Sequence, residues 1–549
     1  MRSAGSYDYV IIGAGTAGCV LANRLSANPD VSVLLLEAGG RDNWIWIHIP
    51  VGYLFCIGNP RTDWCYRTEP DPGLNGRSIL YARGKVLGGC SSINAMLYLR
   101  GQARDYDEWA RLTGDRGWAW EHVLPLFKQT EDSWRGGGEF HGARGAGDAA
   151  GHEWRVEQQR LTWKILDVFR DAAAEAGIPH TDDFNRGDNT GCSRFDVNQR
   201  AGVRWNATKA FLNPALGRTN LTVMTKCLVQ KLRMEGRKCV GVEFVKDGAA
   251  RYAAAQRETI LAAGAIGSPQ ILQLSGIGPG PLLQKHGIPV VRDLPGVGAN
   301  LQDHLQLRMA FKVKNVQTLN TMVQSLWGKA KIGIEYALFR TGPMTMAPSQ
   351  LGAFVKSDPA QATPNLEYHV QPLSLDKFGD PLHAFDAFTA SVCNLRPTSR
   401  GHVRIKSADA RAHPAIQLNY LSTGEDRKIA AAALRLTRRI VTGTQAMQPY
   451  APEEFVPGPD YQTDEDLVTA AGNVGTTIFH PVGTCKMGVD SDPASVVTAS
   501  LKVRGIENLR VIDASVMPTI TSGNTNSPTV MIAEKGAAAV LAEDRLRGR

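Results

Sequence analysis

Residues Tyr7 to Gly40 read YDYVIIGAGTAGCVLANRLSANPDVSVLLLEAGG, and the fold is decided here. Tyr7–Ile12 is a short apolar run of strand character. Thr16–Ala27 is helix-like, and Val31–Leu36 is a second buried-strand run that ends on Glu37. Between the first strand and the helix, Gly13, Gly15 and Gly18 form G-x-G-x-x-G. Gly13 admits a tight turn, Gly15 lets backbone approach a pyrophosphate, and Gly18 lets the helix pack on the strand. Thr16 and Ala17 open the helix, whose free N–H groups and positive dipole end suit phosphates. Glu37, followed by Ala38, can accept from a ribose 2′-OH, and its charge disfavours a 2′-phosphate. Glycine triplets alone are common in turns. With both strands and the acid in place, nucleotide binding is the stronger reading, but the unit does not separate FAD from NAD.

At 549 residues the chain can form two or more domains with large cores. Lys and Arg exceed Asp and Glu by 61 to 53, a net charge of +8, but the basic residues are scattered. The densest cluster, Arg435 to Arg439 (RLTRR), reads as a solvated helix face, so no nucleic-acid partner is expected. Nine cysteines without a C-x-x-C pair fit a reducing compartment rather than a disulfide scaffold or structural zinc. The start, MRSAGSYDYV, has no apolar leader core, and no apolar run approaches the ~18 residues of a membrane span. The expected location is cytoplasmic, a reading that leaves room for peripheral contact with the inner membrane.

Further along, Arg41 to Ser78 is loop-rich; Trp44, Trp46 and Trp64 could line a pocket, but are expected rather to pack this excursion onto the domain surface. Arg83 to Gly101 (RGKVLGGCSSINAMLYLRG) carries a small-residue turn at Gly88–Ser92. That turn suits close approach of a flat or charged ligand, or equally a Ser-capped helix start. Amphipathic helices are expected at Asp105–Trp120, His122–Gln129 and Thr162–Ala176, and an exposed loop at Arg135–Gly151. Leu221–Met234 and Cys239–Val245 alternate like paired strands. Thr259–Ala263 is a buried strand entering a glycine turn and the helix Ser268–Leu274, which repeats the logic of the N-terminal unit. From about Leu305 to Ala470, strand-like runs at Asn365–Val370, Ala387–Cys393 and His402–Lys406 alternate with helical runs at Met322–Phe339 and Asp426–Val441. Leu509–Asp513 is a last buried strand and Thr529–Leu541 a closing helix. The fold class is α/β plus α+β: a Rossmann-like nucleotide domain and a second domain built around a sheet.

Few constellations could carry catalysis. The best is His480, in GTTIFHPVGTCKMG, with Asn524, in SGNTNSP. Histidine is the natural base near neutral pH, and an amide holds a substrate oxygen without adding charge. Each residue alone also fits a buried structural role, and spacing does not bring them together. There is no G-x-S-x-G elbow, no H-E-x-x-H and no P-loop, and no metal is expected. His304, after Gln302-Asp303, could pair locally with a carboxylate, and reads as structural or cofactor-flanking.

The motifs GAGTAG with Glu37, RGKVLGGCSSIN (83–94), GAIGSPQILQLSGIG (264–278), HPVGTCKMG (480–488) and DASVMPTITSGNTNSPTVMIAEK (513–535) occur in that order. Together they resemble the glucose-methanol-choline (GMC) flavoprotein oxidoreductases, in the bacterial choline-dehydrogenase-like branch. The resemblance spans nearly the whole chain and implies FAD rather than NAD. It implies a discontinuous FAD domain of residues 1–155, 220–310 and 472–549, with 156–219 and 311–471 forming a substrate domain whose sheet roofs the flavin. It implies alcohol oxidation: His480 takes the hydroxyl proton, Asn524 helps hold the oxygen, and hydride passes from carbon to flavin N5. By the same resemblance Gly13, Gly15, Thr16, Ala17, Gly18, Glu37 and Ala38 serve the pyrophosphate and ribose, and Val229 meets the adenine through its backbone. Gly88, Ser91 and Asn94 lie along the diphosphate and flavin, with Arg83 in the same set. Ala263, Asp513, Ala514 and Asn526 complete it. Some relatives tether FAD through a His after the GGxSS turn; Ile93 stands there, so dissociable FAD is expected.

Choline-oxidising relatives place a carboxylate two residues after the His of LQDH. Here Gln306 offers no comparable Coulomb attraction to a cation, and choline is expected to be a poor substrate. Phe479 adds an apolar wall, and Met344 and Met346 are further pocket candidates. An uncharged aliphatic or aromatic primary alcohol is the expected substrate, with sugar-alcohol and sorbose-type substrates open. The expected acceptor is a quinone or similar compound, with molecular oxygen as the alternative. A flavin protein without alcohol turnover, a lyase or photochemical relative, is the different-class alternative, and the His480–Asn524 pair argues against it.

Overall fold

A computed structural model describes residues 1–143, 153–376 and 379–547, so the loop expected at Arg135–Gly151 lies partly outside the described residues. The opening stretch folds as its pattern dictates. Strand Arg2–Ile12 enters the glycine turn, helix Thr16–Leu25 follows, and Val33–Leu36 returns as a fully buried strand parallel to Tyr9–Ile12. Five parallel strands stand in the order Leu221–Met224, Val33–Leu36, Arg2–Ile12, Ala249–Leu261, Leu509–Val511. Ala249–Leu261 also carries an antiparallel extension, Lys238–Lys246 and then Cys227–Glu235. The run expected as one strand at Leu221–Met234 breaks where Lys226 adopts φ 56°. Its first half therefore pairs in parallel with Val33–Leu36 and its second half antiparallel with Lys238–Lys246.

The second sheet is antiparallel, in the order Glu453–Val456, Leu305–Lys312, Ala387–Asn394, Leu366–Gln371, Leu351–Val355, Gly191–Arg194. Gly475–Thr477 also pairs with Leu305–Leu307. Alternation along Leu305–Lys312 sets its two faces. Leu305, Leu307, Met309 and Phe311 join the second core, together with Ile429, Leu434 and Ile440 of helix Gly424–Thr442. Gln306 and Arg308 point the other way, into the space above the first sheet.

Several boundaries differ from expectation. Thr208–Leu212 packs on helix Thr16–Leu25, and Ala210, Phe211 and Leu212 belong to the first core rather than the substrate half. Residues 305–310 and Gly475–Thr477, which the resemblance assigns to the FAD domain, lie in strands of the second sheet. His402–Arg404 forms a separate hairpin with Ala415–Gln417. An apolar run announces burial but not which of two cores receives it. The RLTRR cluster is a paired face of helix Gly424–Thr442, with Arg438 on Glu454 at 2.8 Å and Arg435 on Asp464.

Candidate active site

A cavity of about 2150 Å³, open solvent at its mouth included, runs from the glycine turn to the roof formed by the second sheet. Its nucleotide end is lined by Gly13, Gly15, Thr16, Ala17, Glu37, Ala38, Val229, Ala263, Asp513, Ala514 and Asn526, and its middle by Arg83 and Asn94. The glycines divide as their spacing predicts. A Cβ on Gly15 would meet no atom within 4 Å, whereas one on Gly18 would lie 1.8 Å from the Gly13 carbonyl oxygen. Gly15 thus faces ligand space and Gly18 faces protein.

Glu37 is buried, and its two oxygens accept from Ala14 N at 2.9 Å and Gly39 N at 2.7 Å. Burial pushes its pKa up to about 7 against the pull of these donors. Each oxygen retains a further lone pair. Asp513 accepts from Gly264 N, Ser268 Oγ and Ser515 N, which fixes the start of helix Gly264–Leu274 against the cleft. Asn526 accepts from Thr16 Oγ1 at 2.7 Å, while its Nδ2 is buried with no partner among the described residues. An open Gly15, an acid at the ribose position and an unsatisfied amide donor along one cleft fit FAD.

Two expected cofactor residues lie behind the wall. Ser91 Oγ donates to Gly88 O at 2.6 Å and accepts from Ala207 N at 2.9 Å, and neither Gly88 nor Ser91 lines the cavity. Their small size shapes the turn instead, and Gly88 sits at φ 83°. Met344 and Met346 do not line the cavity either, and Met346 belongs to the second core. Of the three tryptophans only Trp64 lines it, while Trp44 and Trp46 pack around Ile47, Cys56, Val86 and Ile93. Ile93 is buried at the cavity wall and offers no nucleophile to a flavin. Acid precipitation is therefore expected to release all flavin to the supernatant, and a yellow pellet would show that this account of Ile93 is wrong.

At the far end the fold brings His480 and Asn524 together. Asn524 Nδ2 lies 3.0 Å from His480 Nε2, and Asn524 Oδ1 is buried without a partner among the described residues. His480 is preceded by Phe479 at φ 66°, a conformation costing about 1–3 kcal/mol. Phe479 is held there by N–H donation to Thr477 Oγ1 and by Arg83 Nη2 donating to its carbonyl at 2.6 Å. Asp303, in the LQDH stretch, anchors the other side. Its Oδ1 accepts from His480 N at 2.7 Å, and its Oδ2 accepts from the Tyr81, Tyr420 and Thr477 hydroxyls.

His304 does not pair with a carboxylate. Its Nδ1 lies 3.1 Å from His480 Nδ1, and its Nε2 lies 3.1 Å from the Leu395 carbonyl oxygen. That carbonyl can only accept, so His304 Nε2 carries the proton and its Nδ1 in the neutral ring is bare. His480 Nδ1 must then donate, which leaves His480 Nε2 as a free base beside Asn524. Burial holds the pKa of both rings below the ordinary histidine value; for His480 the drop is large, and His304, His369 and Arg83 add to it. A lowered pKa keeps the base form populated as pH falls. The acid limb of kcat/KM is expected below pH 6.5, and a midpoint at or above 6.5 would contradict this environment.

His304, Glu367 and Cys393 also gather behind the pair, with ligand atoms within 4.8 Å of one another, but both His304 nitrogens are already engaged. Gln306 and Phe479 line the cavity as expected, and Gln306 Nε2 donates to Thr477 O at 3.2 Å. Sequence reasoning missed the wall residues Tyr53, Arg308, Ser349, His369 and Gln371. For Arg308 a signal was present: it stands two residues after Gln306 in a strand, hence on the same face.

A dinucleotide cleft roofed by a second sheet, with a neutral imidazole base at its far end, defines a nucleotide-cofactor oxidoreductase. The chain belongs to the GMC oxidoreductase family, whose N-terminal region matches residues 7–306 and whose C-terminal region matches residues 397–533. It is an FAD-dependent oxidoreductase acting on CH–OH donors. It is 40% identical to mitochondrial choline dehydrogenase of Homo sapiens, across 100% of this chain and 92% of that protein. It is also 40% identical to an alcohol dehydrogenase [acceptor] of Pseudomonas putida, across 97% and 96%. The crystal structure of pyridoxine 4-oxidase from Mesorbium loti superposes with a TM-score of 0.87 at 31% identity, covering 97% of this chain and 99% of that one. No helix among the described residues is long and apolar enough to cross a membrane.

Proposed function

We propose that this chain oxidises a primary alcohol without a cationic group to its aldehyde and passes the electrons to a quinone-like acceptor. The observation that carries the reading is the unprotonated Nε2 of His480 at the cavity wall, which accepts from the Asn524 amide Nδ2 at 3.0 Å. An alcohol hydroxyl placed there donates to Nε2 in place of the Asn524 Nδ2–H, which then donates to the alcohol oxygen instead. Proton removal by His480 raises the electron density on the carbinol carbon, and Asn524 steadies the oxygen without a charge of its own. Bound FAD supplies the acceptor for the hydride that leaves that carbon. Arg83 and Thr477 fix the left-handed Phe479, and Asp303 fixes the His480 backbone, so the base is positioned before substrate arrives.

Although choline dehydrogenases are among its relatives, the carboxylate that would attract a trimethylammonium is absent at Gln306. Choline is expected to show kcat/KM at least tenfold below the best neutral primary alcohol, roughly the weight of one lost charge contact. Equal values would overturn the substrate part of the proposal. A dye-coupled rate well above the oxygen-coupled rate supports the quinone-like acceptor, and peroxide formation at the same rate would replace it with oxygen.

A further inference from the structure

Arg308 stands one same-face repeat beyond Gln306, about 7 Å further along the strand, and both line the cavity. No nitrogen of its guanidinium has an acceptor among the described residues, and Nη2 is fully covered and still unpartnered. No described carboxylate forms an ion pair with it. The residue opposite on the next strand is Ser391, and beyond that His369; the acid on that face, Glu367, lies with an oxygen 3.1 Å from His369 Nε2 and forms no ion pair with Arg308. Among the described residues, the acids that line the cavity are Glu37 and Asp513. Both belong to the nucleotide end, and both are engaged by backbone N–H groups. The other cavity arginine, Arg83, is turned onto the Phe479 carbonyl.

A guanidinium keeps its charge in any protein, and a buried charge without a counter-charge is costly. Burial lowers the pKa of Arg308, partly offset by the Tyr53 phenol beside it, as befits a cation lacking an acid. Such a group is retained where a ligand completes it. The part of the guanidinium that reaches the cavity can donate a charge-assisted hydrogen bond to a carboxylate oxygen.

We propose that Arg308 anchors a carboxylate, so that the substrate is a hydroxy acid with its alcohol at His480 and Asn524 and its carboxylate on the roof strand. The proposal rests on the alcohol-oxidising reading of this cavity and narrows it: the reacting end is neutral and the remote end is anionic. A choline-like cation would meet an unpaired guanidinium where choline-oxidising relatives offer a carboxylate nearby.

The test uses the holoenzyme with 4-hydroxybutanoate, 6-hydroxyhexanoate and 8-hydroxyoctanoate, each against the n-alkanol of equal length and the methyl ester of the acid. At the best length, kcat/KM for the hydroxy acid is expected to exceed both neutral compounds by about 10- to 100-fold, the weight of a hydrogen bond to a charged group. In Arg308→Met that ratio falls to about one, and in Arg308→Lys, which keeps the charge and guards against a folding defect, part of it survives. Non-reacting octanoate should shift the visible flavin bands of the wild type and lose that effect in Arg308→Met. A ratio near one in the wild type, or a preference that survives Arg308→Met, overturns the proposal. If alkanols reduce the flavin while octanoate does not bind, Arg308 is not an anion site and the alcohol reading stands. If octanoate binds through Arg308 while no alcohol reduces the flavin, the alcohol reading falls and the anion site remains.

Discussion

Replacing His480 by alanine is expected to slow flavin reduction by alcohol by about 10²- to 10⁴-fold, the usual contribution of a positioned general base. The expectation rests on protonation as well as position. Leu395 O fixes the proton of His304, His304 fixes that of His480, and the remaining nitrogen is the one facing Asn524. The FAD content of the variant should stay near that of the wild type, because His480 contributes nothing to the glycine turn or the Glu37 end. Anaerobic stopped-flow on equally loaded proteins reads the rate. A decrease of less than tenfold would remove His480 from the role of base.

The second large effect is a contrast between two glycines three residues apart, Gly15 and Gly18. Gly15 has φ −73° and ψ −164°, which valine can adopt, and its side-chain direction is empty. Gly15→Val is expected to fold with an apo stability close to that of the wild type and to lose FAD affinity by about 100-fold or more, since two methyl groups occupy the pyrophosphate position. Gly18→Ala meets the Gly13 carbonyl at 1.8 Å, a backbone atom that cannot swing aside. It is expected to destabilise the apo fold by about 3 kcal/mol, at the upper end of ordinary overpacking. Urea unfolding of the apo proteins and flavin titration separate the two. Equal behaviour of the two variants would mean that Gly15 and Gly18 do not divide into a ligand position and a packing position.

The nucleotide unit was legible because each part depends on local chemistry: apolar strands, a glycine turn and an acid. His480 and Asn524 were legible by resemblance, and their meeting is a tertiary fact that spacing alone does not supply. Asp303 and His304 were visible as residues but not as partners, because their work is done on His480, which is remote in sequence. Gly88 and Ser91 misled for a related reason: a small-residue turn reads alike whether it faces a ligand or the Ala207 backbone. The split at Lys226 was hidden because both halves of Leu221–Met234 alternate well, and only the left-handed residue between them redirects the chain.

The most direct test of the central claim is the visible spectrum of the purified holoprotein during anaerobic addition of primary alcohols, neutral and carboxylate-bearing. The account predicts that the oxidised-flavin bands bleach with at least one of them in the wild type and persist over the same time in His480→Ala. Bands that stay unchanged in the wild type with every alcohol, or that bleach equally fast in both proteins, would contradict it.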